Sequence, residues 1–188
     1  MQILQIEFFL ESLNISEYDH IIILCYMNGL DIQESDAKTL ICLLHLRDIS
    51  NKSGKPISIV SEMLDQKNKT LAEITKADDF IVSDKIISLM LSQLSENKEL
   101  KKVYDILFSA EGSEVYLRPV TEYVKTGEQL NFHTVIESAS RKNQVAVGYR
   151  LDTFSKNPFK AYGVVFNPIK SDLITFQPED KIIVLSDD

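Results

Sequence analysis

Apolar residues along this chain come first in unbroken runs and later in alternation. In "EYDHIIILCYMNG" positions 21–26 are apolar throughout, which predicts a short parallel strand buried on both faces. The next stretch, "QESDAKTLICLLHLRD", repeats Ala37, Leu40, Ile41 and Leu44 at i, i+3, i+4 and i+7. That spacing predicts a helix over 33–48 with those four side chains as its buried stripe. "NKSGK" breaks the pattern and turns the chain. Positions 57–60 then predict a second apolar strand, "QKNKTLAEITKA" a short helix with Leu71 and Ile74 facing in, and "DDFIVSD" a third strand. Strands and helices alternating at this pitch imply right-handed crossovers and a parallel sheet. Ahead of them, in "MQILQIEFFLESLNI", Leu4, Phe8 and the stretch 10–13 fit a short amphipathic helix ending near Asn14.

The segment "SDKIISLMLSQLSENKELKKVYDILFSAEG" is helical for most of its length, starting from a Ser83 or Asp84 cap. Ile86, Ile87, Met90, Leu91 and Leu94 make one stripe. After "SEN", a second stripe follows of Leu100, Val103, Ile106 and Leu107. Two apolar helices in tandem must bury themselves against the sheet or against a second copy of the protein.

Beyond Gly112 the pattern changes. "EVYLRPVTEYV" predicts a strand whose Pro119 marks an edge or a bend. "NFHTVIESASRK" predicts a helix capped by Asn131, with Phe132, Val135, Ile136 and Ala139 on one face. "QVAVGYRL" alternates as a strand does, and "YGVVFNPIKSDLITFQPEDKIIVLSDD" predicts strand, Asn-Pro turn, short strand, turn and final strand. The expected fold is therefore α/β: a partial Rossmann-like parallel sheet with its helix pair over 1–110, then a small α+β lobe over 111–188. The boundary falls near "SAEGS".

Composition narrows the function. The chain has 188 residues, 44% hydrophobic and 26% charged, as in an ordinary folded protein. Its formal net charge of -8 excludes broad electrostatic binding to nucleic acid and a polybasic membrane patch. No apolar run reaches the roughly eighteen residues of a membrane helix. A cytosolic chain, or one at the cytosolic face of a membrane through a partner or a further segment, is expected. Cys25 and Cys42 both sit in apolar stretches and read as buried free thiols.

Catalytic and cofactor motifs are sparse. The glycines at 29, 54, 112, 127, 148 and 163 form neither G-x-G-x-x-G nor a Walker loop. Without such a cradle of backbone N–H groups, a NAD-type nucleotide is not expected to bind. His20, His45 and His133 lack zinc spacing and read as structural. An enzyme built on Ser83, Asp84 or His133 would lack a complete set of nucleophile, base and oxyanion donors. Glu34 and Asp36 flank Ser35 at a helix start, where their charge favours the helix dipole. They also stand near the edge of the sheet where such folds bind ligands. With Glu62, Asp65, Asp84 and Asp188 they are the candidate cation contacts. Calcium, which takes oxygen ligands, is the ion such carboxylates would hold. No D-x-D-x-D-G loop is present, so any site would be assembled from distant segments.

"LESLNISEYDHIIILCYMNGLDIQESDAKTLICLLHLRDI", "ISIVSEMLDQKNKTLAEITKADDFIVSDKIISLMLSQLSENKEL", "EGSEVYLRPVTEYV" and the closing "VGYRL", "GVVFNPIKSD" and "FQPEDKIIVLSDD" resemble the cytosolic region of CASTOR/POLLUX-type ion channels. The resemblance runs from about residue 10 to the last. It implies a regulator of K+ conductance (RCK) module, akin to TrkA-N and TrkA-C domains, that follows a transmembrane pore and assembles into a gating ring. It further implies that an earlier strand and its glycine turn belong ahead of this sheet, and that the chain starts partway through it. The function expected from this resemblance is a regulatory, ligand- or ion-sensing module of a cation channel or transporter. It would form a homo-oligomer through helices 85–108 and work with a membrane pore domain of the same or a partner chain. The competing expectation is a stand-alone dimerisation adaptor that has lost nucleotide sensing.

Overall fold

The structure, a computed structural model, describes residues 9, 10, 12–55, 57–65, 67, 68, 80–109 and 111–187. The predicted short helix with Leu71 and Ile74 lies outside these residues, as do Leu4 and Phe8 of the first predicted helix. The chain divides into two compact units, Met1–Lys98 and Glu99–Asp188.

The first unit is built on three parallel strands in the order β1 (His20–Ile23), β2 (Ser58–Met63) and β3 (Phe80–Val82). Ile21 pairs with Ile59, and Glu62 with Ile81. Helix α1 (Ile32–Ser53) packs on β2 and β1. The core between them holds Leu43, Leu46, Ile57, Ile59 and Met63, joined by Leu10 and Ile15. Helix α2 (Ser83–Glu96) follows β3 directly.

Three local expectations are corrected. The predicted stripe of α1 is not the buried one: Ala37 and Leu44 are exposed, and Leu40 and Ile41 only half-buried. The buried face is Asp36, Thr39, Leu43, Leu46 and Ser50. The helix has rotated because its polar residues find partners beneath it. Ser50 donates to the Lys55 carbonyl at 2.9 Å and accepts the Ile57 N–H at 3.3 Å, while Asp36 accepts backbone N–H groups beyond β2. A buried polar group so satisfied is no longer a penalty.

The strand predicted at 21–26 is also shorter, and it is buried on one face only. Ile22 is 73% exposed and Leu24, just past the strand, 53%. Finally, neither Ser83 nor Asp84 caps α2: the N-cap position is Val82, with no side-chain hydrogen bond. The strand runs straight into the helix, so neither residue takes the extended N-cap backbone.

The second unit opens with α3 (Leu100–Leu107). It then forms an antiparallel sheet in the order β4 (Glu114–Pro119), β9 (Lys181–Ser186), β6 (Val145–Arg150), β7 (Val164–Phe166). A second sheet pairs β5 (Gln129–Asn131) with β8 (Leu173–Thr175). Between β5 and β6 lies α4 (Phe132–Ser140), capped by Asn131, whose side chain accepts the Thr134 N–H at 3.2 Å. Pro119 ends β4, which is an edge strand.

The core of this unit is Val120, Phe132, Val135, Ala139, Tyr149, Phe176, Ile182 and Val184. Tyr149 is its hub, with its ring 5.9 Å from that of Phe132 and 5.4 Å, edge-on, from that of Phe176. Asp180, almost fully buried, clips the end of the lobe. It accepts the N–H groups of Asp152 at 2.8 Å and Gln177 at 2.7 Å, while its carbonyl takes that of Val120. Gly148 lies against the Val165 carbonyl and Gly163 against that of Leu151, too close for any side chain.

Candidate functional site

Parallel strands end together, so residues just past β1, β2 and β3 share one edge of the first sheet. Cys25 follows β1, Glu62 is the residue before the end of β2 with Leu64 and Asp65 beyond the strand, and Asp84 stands in the first turn after β3. The N-terminus of α1 reaches the same edge. Its cap is Asp31, whose Oδ1 accepts the Glu34 N–H at 2.8 Å.

Asp36 anchors the cluster. Only 1% of it is exposed. Its Oδ1 accepts the Leu64 N–H at 2.8 Å and the Cys25 thiol at 3.6 Å. Its Oδ2 accepts the Asp65 N–H at 3.0 Å and the Asn68 amide at 2.7 Å. Four donors fill the acceptor positions of one carboxylate. Asp36 is thereby a tie between α1 and the chain leaving β2.

Around it, Glu62 Oε2 accepts the Cys25 N–H at 3.1 Å. Asp65 accepts the Gln33 amide at 3.3 Å and the Lys67 N–H at 2.9 Å. Burial pushes the Cys25 thiol above its ordinary 9.0, a hydrogen bond with Thr39 opposes this, and the charges of Asp36 and Glu62 add to it. Cys25 is held as a neutral thiol and not as a nucleophilic thiolate. Cys42, half-buried among apolar side chains, is shifted the same way by burial alone. Both cysteines are free.

The structure therefore ties Cys25 to Asp36 and Glu62, and ties the backbone of Asp65 to Asp36. Glu34 is exposed on the first turn of α1, and Asp84 is exposed on that of α2. Asp188 lies outside the described residues. Among the described residues no three His, Cys, Asp or Glu side chains converge on a point where a metal ion would sit. The carboxylates do not fit a closed calcium cage in this arrangement, which needs six or more oxygens.

The roles of Asp31 and Cys25 at this edge escape the sequence reading. For Asp31 a signal exists, since Asp31 followed three residues later by Glu34 is a capping-box spacing. For Cys25 and Asn68 none does, because their partners are 11 and 32 residues away.

In the second unit, a shallow depression of about 560 Å³ is lined by Thr121, Glu122, Tyr123, Val124, Lys125, Thr126 and Glu128. Among the described residues no helix is long and apolar enough to cross a membrane.

No known protein-family profile matches the chain. Over 117 residues, 62% of its length, it is 26% identical to the ion channel CASTOR of Lotus japonicus, covering 13% of that protein. Over 81 residues, 43% of its length, it is 30% identical to the probable ion channel CASTOR of Oryza sativa subsp. japonica, covering 9% of it. The probable ion channel POLLUX of the same rice is 28% identical over 117 residues, 62% of this chain and 11% of that one. The chain thus spans only about an eighth or less of these curated relatives.

Among solved structures, the GsuK RCK domain aligns over 94% of this chain and 32% of its own, with a TM-score of 0.38 and 15% identity. The GsuK channel bound to NAD aligns over 94% and 26%, with a TM-score of 0.39 and 16% identity. The chain is similar in sequence to part of the CASTOR/POLLUX ion channels, as its quoted motifs imply.

Proposed function

We propose that this chain is a regulatory, non-catalytic module of a potassium-type cation channel or transporter, acting at the cytosolic face of a membrane. The observation that carries the reading is the match to CASTOR and POLLUX channels over 62% of the chain. The geometry supports a non-catalytic role, since the thiol at the sheet edge is kept neutral and the best-placed carboxylate is already saturated with donors. The functional division is 1–110 with the helix pair and 111–188 as the small lobe. A gating module works by binding its ligand better in one arrangement of the lobes than in another, and the difference is passed to a pore.

Calcium at the sheet edge is the first ligand to test, with Glu34, Glu62, Asp65 and Asp84 as contacts that would have to draw together on binding and Asp36 fixing the loop that carries Asp65. A free ligand at 100 times its dissociation constant adds about 2.7 kcal/mol to stability. The experiment is a thermal-shift titration of the chain with CaCl2, KCl and NAD. A rise in melting temperature with calcium that is lost in Glu62→Gln/Asp65→Asn supports sensing at this edge. A flat response to all three favours the alternative reading, a dimerisation adaptor.

One observation bears on both readings: neither α2 nor α3 buries a single residue. Ile86, Ile87, Leu89 and Leu91 on α2 and Val103 and Ile106 on α3 are all exposed. Both readings give these helices the same work, which is to pack on another copy.

A further inference from the structure

The connection from β6 to β7, residues 151–163, carries the most exposed large apolar side chain among the described residues: Phe159 is 96% exposed. The loop that presents it is pinned. Asn157 accepts the Phe159 N–H on its side chain at 3.0 Å, and on its carbonyl those of Lys160 at 3.1 Å and Tyr162 at 3.0 Å. The Leu151 N–H donates to the Gly163 carbonyl at 2.9 Å, and Arg150 Nε to the Tyr162 carbonyl at 3.4 Å. Ala161 and Tyr162, neither of them glycine, hold left-handed backbone, with φ of 48° and 54°. Such backbone costs stability and persists only where its surroundings impose it. A phenylalanine held out in water by a fixed loop loses little further freedom when a partner covers it.

The charge around the loop indicates the occupant. Residues 153–171 contain Lys156, Lys160 and Lys170 and no Asp or Glu, in a chain of net charge -8. Lys156 and Lys160, both exposed, flank Phe159 along the chain, and Arg150 stands across from Val164 where the loop ends. This is a cationic, aromatic stretch on an acidic protein, and it suits an acidic partner with an apolar anchor. A lipid surface fits less well. An anionic leaflet meets the whole chain and is repelled by its net charge, whereas a short segment on the loop lies within a Debye length, about 8 Å, of the lysines.

The sheet offers backbone at the same place, for β7 is an edge strand. Its bonded pairs with β6 fall at Leu151–Gly163, Tyr149–Val165 and Val147–Asn167, so Phe166 turns its N–H and C=O away from the sheet. Gly163 is about 10 Å from Phe166 along extended chain, within reach of one short strand. We propose that this edge and loop bind an extended acidic segment of a partner protein. The segment's backbone continues the sheet at Phe166, its carboxylates meet Lys156 and Lys160, and one of its apolar side chains covers Phe159. The site does not depend on what the module senses or on the contact proposed for α2 and α3.

The test is fluorescence anisotropy of a labelled peptide alternating Glu with Val or Phe, titrated with the full chain. The peptide should bind, and added salt should weaken it. Lys156→Glu/Lys160→Glu and Phe159→Ser change exposed positions, and circular dichroism checks that each variant keeps its fold. Each should lower affinity about tenfold or more. A peptide with Lys in place of Glu should not bind, and N-methylation of the peptide backbone should abolish binding, because it removes the strand's donors. No binding of the acidic peptide to wild type at about 1 mM overturns the proposal. So does an affinity unmoved by both variants, or equal binding of the Lys peptide. Binding to phosphatidylserine vesicles without binding to the peptide would give the loop to a lipid surface instead. Self-association of the wild-type chain that Phe159→Ser abolishes would give it to a second copy. Either result overturns the proposal.

Discussion

The carboxylate of Asp36 accepts the backbone N–H of Leu64 at 2.8 Å across 28 residues of chain. It joins the second turn of α1 to the residue that follows β2, and through Asp65 and Asn68 it shapes the loop beyond. Asp36→Ala should therefore cost about 3 kcal/mol or more, since it strands two backbone donors and an amide in a buried site. Asp36→Asn keeps one oxygen and should fall between. Urea melts monitored by circular dichroism read both, and an alanine variant within about 1 kcal/mol of wild type would remove the tie.

Two glycines separate conformational strain from steric contact. Gly163 and Gly29 share the same left-handed backbone, with φ of 81° in each. A Cβ on Gly29 meets open space, whereas one on Gly163 collides with the Leu151 carbonyl. Gly29→Ala should cost about 1 kcal/mol. Gly163→Ala should cost at least about 2 kcal/mol more, because backbone must move to admit it. Equal thermal shifts in the two variants would contradict this geometry.

Alkaline pH should weaken the fold. Burial raises Cys25 and Cys42 above their ordinary 9.0, and Tyr123 and Tyr149 above 10.0. The native chain holds these groups neutral where the unfolded chain would ionise them. Their contribution is complete below the unfolded values and is lost as pH climbs through the native ones. The urea midpoint should hold steady up to about pH 8.5 and fall beyond it. Iodoacetamide should react with both thiols at pH 7.5 more slowly than with free cysteine; a rate equal to that of the free amino acid would refute the assignment.

Ile87 and Leu91 lie on α2, 53% and 60% exposed. Ile87→Asp/Leu91→Asp should change monomer stability by no more than about 0.5 kcal/mol per site. It should nonetheless lower self-association measured by light scattering at rising concentration. A large drop in melting temperature for the dilute chain would show instead that these side chains serve the monomer's own core.

Most elements were legible because their pattern is local. The alternation of β6, the Asn131 cap of α4 and the Asn-Pro turn at 167–168 each depend on a few adjacent residues. The buried face of α1 was not legible, because an apolar count turns Leu40 and Leu44 inward. Ser50 and Asp36 instead turn their own face in, through partners that lie beyond the helix. At the acidic edge, Asp36 accepts the Asp65 N–H and Glu62 that of Cys25. What the spacing could not show is that Asp36 spends its acceptors on the protein's own N–H groups.

Among the strands of the second unit, the one that arrives latest along the chain, β9, lies inside its sheet between β4 and β6. A ribosome delivers β4, β6 and β7 before the strand that joins β4 to the other two. The lobe therefore cannot close while it is being made, and β4 and the β6–β7 pair must wait, unjoined, until residue 186 has cleared the exit tunnel. A premature stop anywhere ahead of Lys181 would not trim the lobe but leave β4 and the β6–β7 pair as separate exposed edges. For this half of the molecule, quality control in the cell acts on synthesis as much as on the finished fold.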